Sequence, residues 1–195
     1  MEGEKGIRSF LCVELDEATK KRLARWVRDL SEKMSELRWV NPEGLHVTLK
    51  FCGEISPTQV EKVNLELARL KGRMVSPFEL TLAGLGAFPH LRQPRVIWLG
   101  VAGEVQALHS LWRQVEMATK RAGLPPEGRP FHPHLTLARV KDPKDVHLSF
   151  LLELSQEDTS FGPWTVEALT FMQSTLTPKG AKYSPVARYK LGGEC

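Results

Sequence analysis

Two tetrads of the same form stand far apart in this chain: His46-Val47-Thr48-Leu49 and His134-Leu135-Thr136-Leu137. In an extended strand residues i and i+2 share a face. Each tetrad therefore sets one imidazole beside one hydroxyl, while Val47, Leu49, Leu135 and Leu137 turn the other way into apolar packing. A neutral imidazole takes a proton and an imidazolium gives one, both near neutral pH. A threonine hydroxyl donates to an anionic oxygen where charge builds. Two such pairs facing each other meet the needs of phosphodiester cleavage: a base for attacking water, an acid for the leaving oxygen, and two clamps for the non-bridging oxygens. By geometry alone either histidine could be the acid. A single His-x-Thr is more often a half-buried structural histidine. Its repetition, each time after a Pro- and Gly-bearing turn, favours chemistry.

The neighbours of the tetrads are less decisive. Arg139 has strand parity opposite to His134, so it reaches the same face only through a twist or bulge. A phosphate-binding guanidinium and a strand-end surface charge both remain open for it. Lys50 shares parity with His46 and Thr48 and could line the groove, but it is read as a solvated lysine. His132 forms a His-x-His pair with His134, yet no nearby Cys or carboxylate completes a metal site. No metal and no cofactor are expected. His90, His109 and His147 have no partner motif and read as structural or surface. No phosphate-cradling Gly-rich loop and no G-x-S-x-G elbow is present in the sequence.

The elements that must carry these groups follow from periodicity and punctuation. Ile7 to Leu15 reads as a strand. Asp16 caps a helix running to about Glu36, with Leu23, Trp26, Val27, Leu30 and Met34 at helical spacing. Leu37 to Val40 is a short extended piece, Asn41 to Gly44 a turn, and Leu45 to Gly53 the first tetrad's strand. Ser56-Pro57 opens a helix to about Leu70. Phe78 to Phe88 and Arg95 to Val101 are strands, and Glu104 to Ala122 is a helix stopped at Gly123. After the loop Pro125 to Pro133, His134 to Val140 forms the second tetrad's strand. A short helix is expected near Lys144 to Leu152, begun at Asp142-Pro143. Two strands are expected from Trp164 to Leu191, around a turn at Pro178-Lys179-Gly180.

Helix, turn and His-x-Thr-Leu strand thus occur twice. The economical architecture is α+β and bilobal: two mainly antiparallel sheets with pseudo-two-fold symmetry, flanked by helices, and an active-site groove between the lobes. Residues 1–195 are expected to form one such domain.

Composition bounds the function. The 195 residues are 42% hydrophobic and 26% charged, an ordinary soluble balance, with a net charge of +4 that mildly favours an anionic ligand. The cysteines Cys12, Cys52 and Cys195 are odd in number and far apart, which argues against a disulfide framework and for free thiols in a reducing compartment. The N-terminus lacks a secretory h-region, and the uncharged stretch Leu80 to Leu91 is too short to span a bilayer. The expectation is a cytoplasmic monomer without a membrane span.

The segments His46 to Glu54 and Arg129 to Arg139 resemble the two signature strands of the 2H phosphoesterases. Flanking features are similar to the RNA 2′,3′-cyclic phosphodiesterase branch, also known as the 2′-5′ RNA ligases. They are Arg8 to Leu15, Leu85 to Pro89, Arg95 to Val101, and Gln173 to Leu176 with Gly180 and Tyr183. The resemblance covers nearly the whole chain. It implies hydrolysis of a 2′,3′-cyclic phosphate at an RNA end to a 2′-phosphate, with His46 as proton donor and His134 as proton acceptor. It implies Thr48, Thr136 and Arg139 as substrate-binding groups. The implied partners are RNAs with 2′,3′-cyclic phosphate termini, tRNA halves among the candidates, and ATP-independent 2′-5′ joining is implied as a reverse reaction. Two alternatives stay open: a 2H enzyme acting on a cyclic nucleotide, 2′-5′ oligoadenylate or ADP-ribose cyclic phosphate, and a non-catalytic RNA-binding module.

Overall fold

A computed structural model describes residues 6–178 and 180–192. Its strands are β1 (Ile7–Glu14), β2 (Arg38–Trp39), β3 (His46–Ile55), β4 (Phe78–Phe88), β5 (Val96–Gly103), β6 (His134–Arg139), β7 (Ser160–Val166), β8 (Ala168–Thr177) and β9 (Gly180–Lys190). The helices are α1 (Glu17–Lys33), α2 (Pro57–Ala68), α3 (Val105–Arg121) and α4 (Leu148–Gln156). The strands form two sheets, ordered β3-β1-β8-β9 and β2-β6-β5-β4-β7. Every neighbouring pair is antiparallel. The fold is α+β, and each sheet holds one tetrad strand.

Local signals explain most element ends. Asp16 accepts from the Thr19 amide at 2.7 Å and starts α1, a cap worth about 1 kcal/mol. Leu23, Val27 and Leu30 form its buried stripe. The helix stops at Lys33, earlier than the sequence predicts. Met34 is fully buried and leaves helical geometry, and its carbonyl accepts the Trp39 indole N–H at 2.9 Å. Ser56 and Gln59 build a reciprocal capping box at α2.

Two expectations are corrected. The helix expected near Lys144 is a 3-10 turn, Pro143–Asp145, followed by a separate α4 beginning at Leu148. Val146 is buried and extended between them, so the helix cannot run through. The tail holds three strands. Trp164 belongs to β7 in the second sheet, where it pairs with Leu80, is 2% exposed, and donates its indole N–H to the Glu14 carbonyl. β8 and β9 are the expected hairpin, and Lys179 of its turn lies outside the described residues.

The main core draws on both sheets and all four helices, with Leu11, Val47, Leu80, Leu99, Leu108, Leu135 and Leu151 among its members. Along β1, Leu11 and Val13 enter that core, while Phe10 and Cys12 alternate onto the opposite face. There they form a small second cluster with Met172, on which Tyr183 packs. That second face carries His46. Among the described residues no helix is long and apolar enough to cross a membrane. Cys12 and Cys52 are free, and Cys195 lies outside the described residues.

Candidate active site

The two histidines are held in the same way. His46 Nδ1 lies 2.6 Å from the Gly44 carbonyl, and His134 Nδ1 lies 2.7 Å from the His132 carbonyl. A carbonyl only accepts, so each Nδ1 carries a proton and each Nε2 is left for chemistry, whichever charge the ring holds. In both cases the acceptor is two residues upstream of the ring. The tetrads are therefore alike in hydrogen bonding as well as in sequence.

Alternation also holds through each tetrad. Val47, Leu49, Leu135 and Leu137 are buried, and His46, Thr48, His134 and Thr136 are partly exposed. The pattern then breaks in the same place in both strands. In β3, Leu11 pairs with Lys50 and Cys12 with Thr48, leaving Leu49 as an extra residue. In β6, Ile97 pairs with Ala138 and Trp98 with Thr136, leaving Leu137 extra. Each β-bulge reverses parity downstream.

This reversal sets where two of the neighbouring side chains point. It returns Arg139 to the face of His134 and Thr136, where it lines the groove cavity. It turns Lys50 inward, which overturns the reading of a solvated lysine: Lys50 is 5% exposed. Its Nζ lies 2.9 Å from Glu116 Oε1 and donates to the Pro125 carbonyl at 2.8 Å. The other Glu116 oxygen accepts from the Glu127 amide. The residue at the Arg139 position of the first tetrad is Phe51, which is 60% exposed and lines the same cavity. Sequence parity hid Phe51; its equal offset from the first histidine was the available signal.

Each ring also has an aromatic buttress. His46 stacks on Phe10 at 4.6 Å and meets Tyr183 edge-on at 5.2 Å. His134 meets Phe88 edge-on at 5.0 Å and lies 6.1 Å from Trp98. Glycines make room for both buttresses. A Cβ at Gly44 would stand 2.7 Å from the Tyr183 ring, and one at Gly86 would stand 2.2 Å from the Trp98 ring. The sequence sets Gly44 in a turn and the other positions in family-like segments, but no local signal links any of them to the rings they support.

A cavity of about 340 Å³ gathers His46, Thr48, Phe51, Thr136, Arg139 and Tyr183 from both sheets. His134 is not among its lining residues; it shares the Thr136 face of β6, two residues along. Burial lowers both imidazole pKa values below the ordinary 6.5. At His46 the Gly44 bond and the Glu14 charge oppose that fall. At His134 the His132 bond opposes it, while the charges of His132 and Arg139 deepen it. Glu14 is the strand partner of His46 and is itself held by Thr170 Oγ1 at 2.7 Å and Arg188 Nη2 at 2.8 Å.

The fold and site define a class: an α+β protein with two matched imidazole–hydroxyl strands, one in each sheet, of which His46, Thr48 and Thr136 line one groove. The chain belongs to the 2′-5′ RNA ligase superfamily, whose family model matches residues 17–177. It is 33% identical over 186 residues to an RNA 2′,3′-cyclic phosphodiesterase of Methanothermobacter thermautotrophicus, covering 95% of this chain and 99% of that one. An RNA 2′,3′-cyclic phosphodiesterase of Aquifex aeolicus is 33% identical over 157 residues, covering 80% and 82%. Among solved structures, TT0787 of Thermus thermophilus aligns with a TM-score of 0.76 at 27% identity, covering 97% of this chain and 100% of that one. E. coli LigT complexed with 3′-AMP aligns with a TM-score of 0.71 at 27% identity, covering 95% and 98%.

Proposed function

We propose that this protein hydrolyses the 2′,3′-cyclic phosphate at an RNA end to a 2′-phosphate. The observation that carries the reading is the matched hold on the two histidines, each with Nδ1 engaged and Nε2 free. His134 accepts a proton from water as the water oxygen bonds to phosphorus. His46, charged at that moment, gives its Nε2 proton to the 3′-oxygen as the P–O3′ bond breaks. The products are a 2′-phosphomonoester and a 3′-hydroxyl. The direction, donor at His46 and acceptor at His134, follows the family resemblance. Thr48 and Thr136 donate to the non-bridging oxygens, and Arg139 offsets their growing charge. Phe51 offers an exposed ring on which the terminal base stacks. No step in this scheme routes through a metal. With an RNA 5′-hydroxyl replacing water as the nucleophile, the same attack joins two RNAs by a 2′-5′ bond.

The relatives named as RNA 2′,3′-cyclic phosphodiesterases support the substrate class. The test is to incubate the protein in EDTA with an oligonucleotide 2′,3′-cyclic phosphate and identify the product isomer. A 2′-phosphate is expected. A 3′-phosphate product, or turnover that requires added metal, would overturn the scheme. Binding of RNA without turnover of any cyclic phosphate would establish the non-catalytic module instead.

A further inference from the structure

The histidine groove does not end at His46. A second concavity, of about 220 Å³, shares Gly44, His46 and Tyr183 with the first and extends to Pro185 and Arg188. A third, of about 800 Å³, shares Arg188 with the second and continues to Lys190 and Lys71. The second and third meet at Arg188 on β9, the edge strand of the first sheet; the third opens against the end of α2 on the Tyr189 side, so the run rounds that edge.

A bulge in β9 makes this run possible. Pro185 pairs with Met172 and Ala187 with Phe171, so Val186 is an extra residue. Tyr183 and Pro185 before the bulge thus share a face with Arg188 and Lys190 after it. Without the bulge the two cations would point toward the core with Phe171 and Leu169. Tyr183 to Lys190 spans roughly 23 Å of strand, enough for a few nucleotides.

The charge at the far end of the run suits a polyanion. Lys71, Arg188 and Lys190 are all exposed, and among the described residues no carboxylate lines the third cavity. Glu14 and Glu43 line the second. Glu14 pairs with Arg188, so those two charges offset each other in the wall of the second cavity and Glu43 leaves it without positive excess; the cations of the run are Lys190 and Lys71.

We propose that this run along β9 is a track for the single-stranded body of the substrate RNA, the nucleotides on the 5′ side of the cyclic phosphate. Their phosphates meet Lys190 and Lys71, past the Arg188–Glu14 pair. The track rests on the function proposed above and adds to it a preference for oligonucleotides over mononucleotides.

The test compares kcat/KM for a nucleoside 2′,3′-cyclic phosphate with that for a hexaribonucleotide ending in the same group, at several salt concentrations. The wild type is expected to favour the hexamer by about tenfold or more. The Lys71→Gln/Lys190→Gln variant is expected to lose most of that preference, with the mononucleotide rate as its internal control. Two lost phosphate contacts would flatten the salt dependence by about 1.4 in log–log slope. Equal rates on both substrates in the wild type, or an unchanged preference and slope in the variant, would overturn the track. If the wild type turns over neither substrate, the proposed reaction fails by itself. The track is then read from the affinity for a 2′-phosphate-ended hexamer, which a true track loses in the variant and a false one keeps.

Discussion

Lys50, in the strand that carries His46, donates an Nζ hydrogen to the carbonyl of Pro125, at the head of the loop that leads into His134. Glu116 of α3 faces the same ammonium and also accepts from Glu127 in that loop. A buried ion pair thus ties the first tetrad strand to the approach of the second. Removing one partner leaves an uncompensated buried charge. Lys50→Met should cost about 3 kcal/mol in urea unfolding, and it should lower kcat more than it raises KM. Adding Glu116→Leu should recover much of the stability without recovering kcat. An unfolding midpoint unchanged by Lys50→Met would show that the pair carries no such role.

His46→Ala and His134→Ala should each reduce turnover of a cyclic phosphate by about 10²- to 10⁴-fold, the range for lost acid–base catalysis. Circular dichroism should report an intact fold for both. Near-wild-type turnover in either variant would remove that histidine from the mechanism.

The lowered histidine pKa values carry a signed prediction. Both rings bind protons less readily when folded than when unfolded. Their contribution to stability is therefore complete above about pH 6.5 and is lost as pH falls through the folded values. The urea midpoint should drop between about pH 7.5 and pH 5, and a His46→Asn/His134→Asn variant should flatten that drop. For the same reason the kcat/KM bell of the free enzyme should peak below about pH 6.5. A peak well above that value would mean that burial does not set these pKa values.

Gly86→Ala would drive a methyl into the Trp98 ring, whereas Gly128 has nothing within 4 Å of its would-be Cβ. Gly86→Ala should therefore lose about 1–3 kcal/mol of stability and reduce kcat through His134, while Gly128→Ala should do neither. Comparable stability and kcat in the two variants would show that the Trp98 contact does not position the ring.

Phe51→Ala should raise KM for a nucleotide substrate by about 1–3 kcal/mol in binding terms, the range for one base stacked on an aromatic ring. Its exposure predicts little change in unfolding. Arg139→Met should also weaken binding, through lost phosphate contact. A KM unchanged by Phe51→Ala would place the base elsewhere.

Much of this protein is legible without tertiary information. The local signals are short-range: Asp16 and the Ser56–Gln59 box start helices, and alternation sends His46 and Thr48 one way and Val47 and Leu49 the other. The same reasoning locates both tetrads on strands. What escapes it is any feature set by a neighbouring strand. A bulge is a mismatch between two partners, so nothing inside β3 or β6 announces that Leu49 and Leu137 are extra residues. That mismatch alone buries Lys50 and brings Arg139 and Phe51 into the groove. The buttresses of the rings, Tyr183 on His46 and Trp98 beside His134, likewise exist only once distant strands pack. Sequence periodicity determined which residues could do the chemistry; register between strands decided which of their neighbours stand beside them.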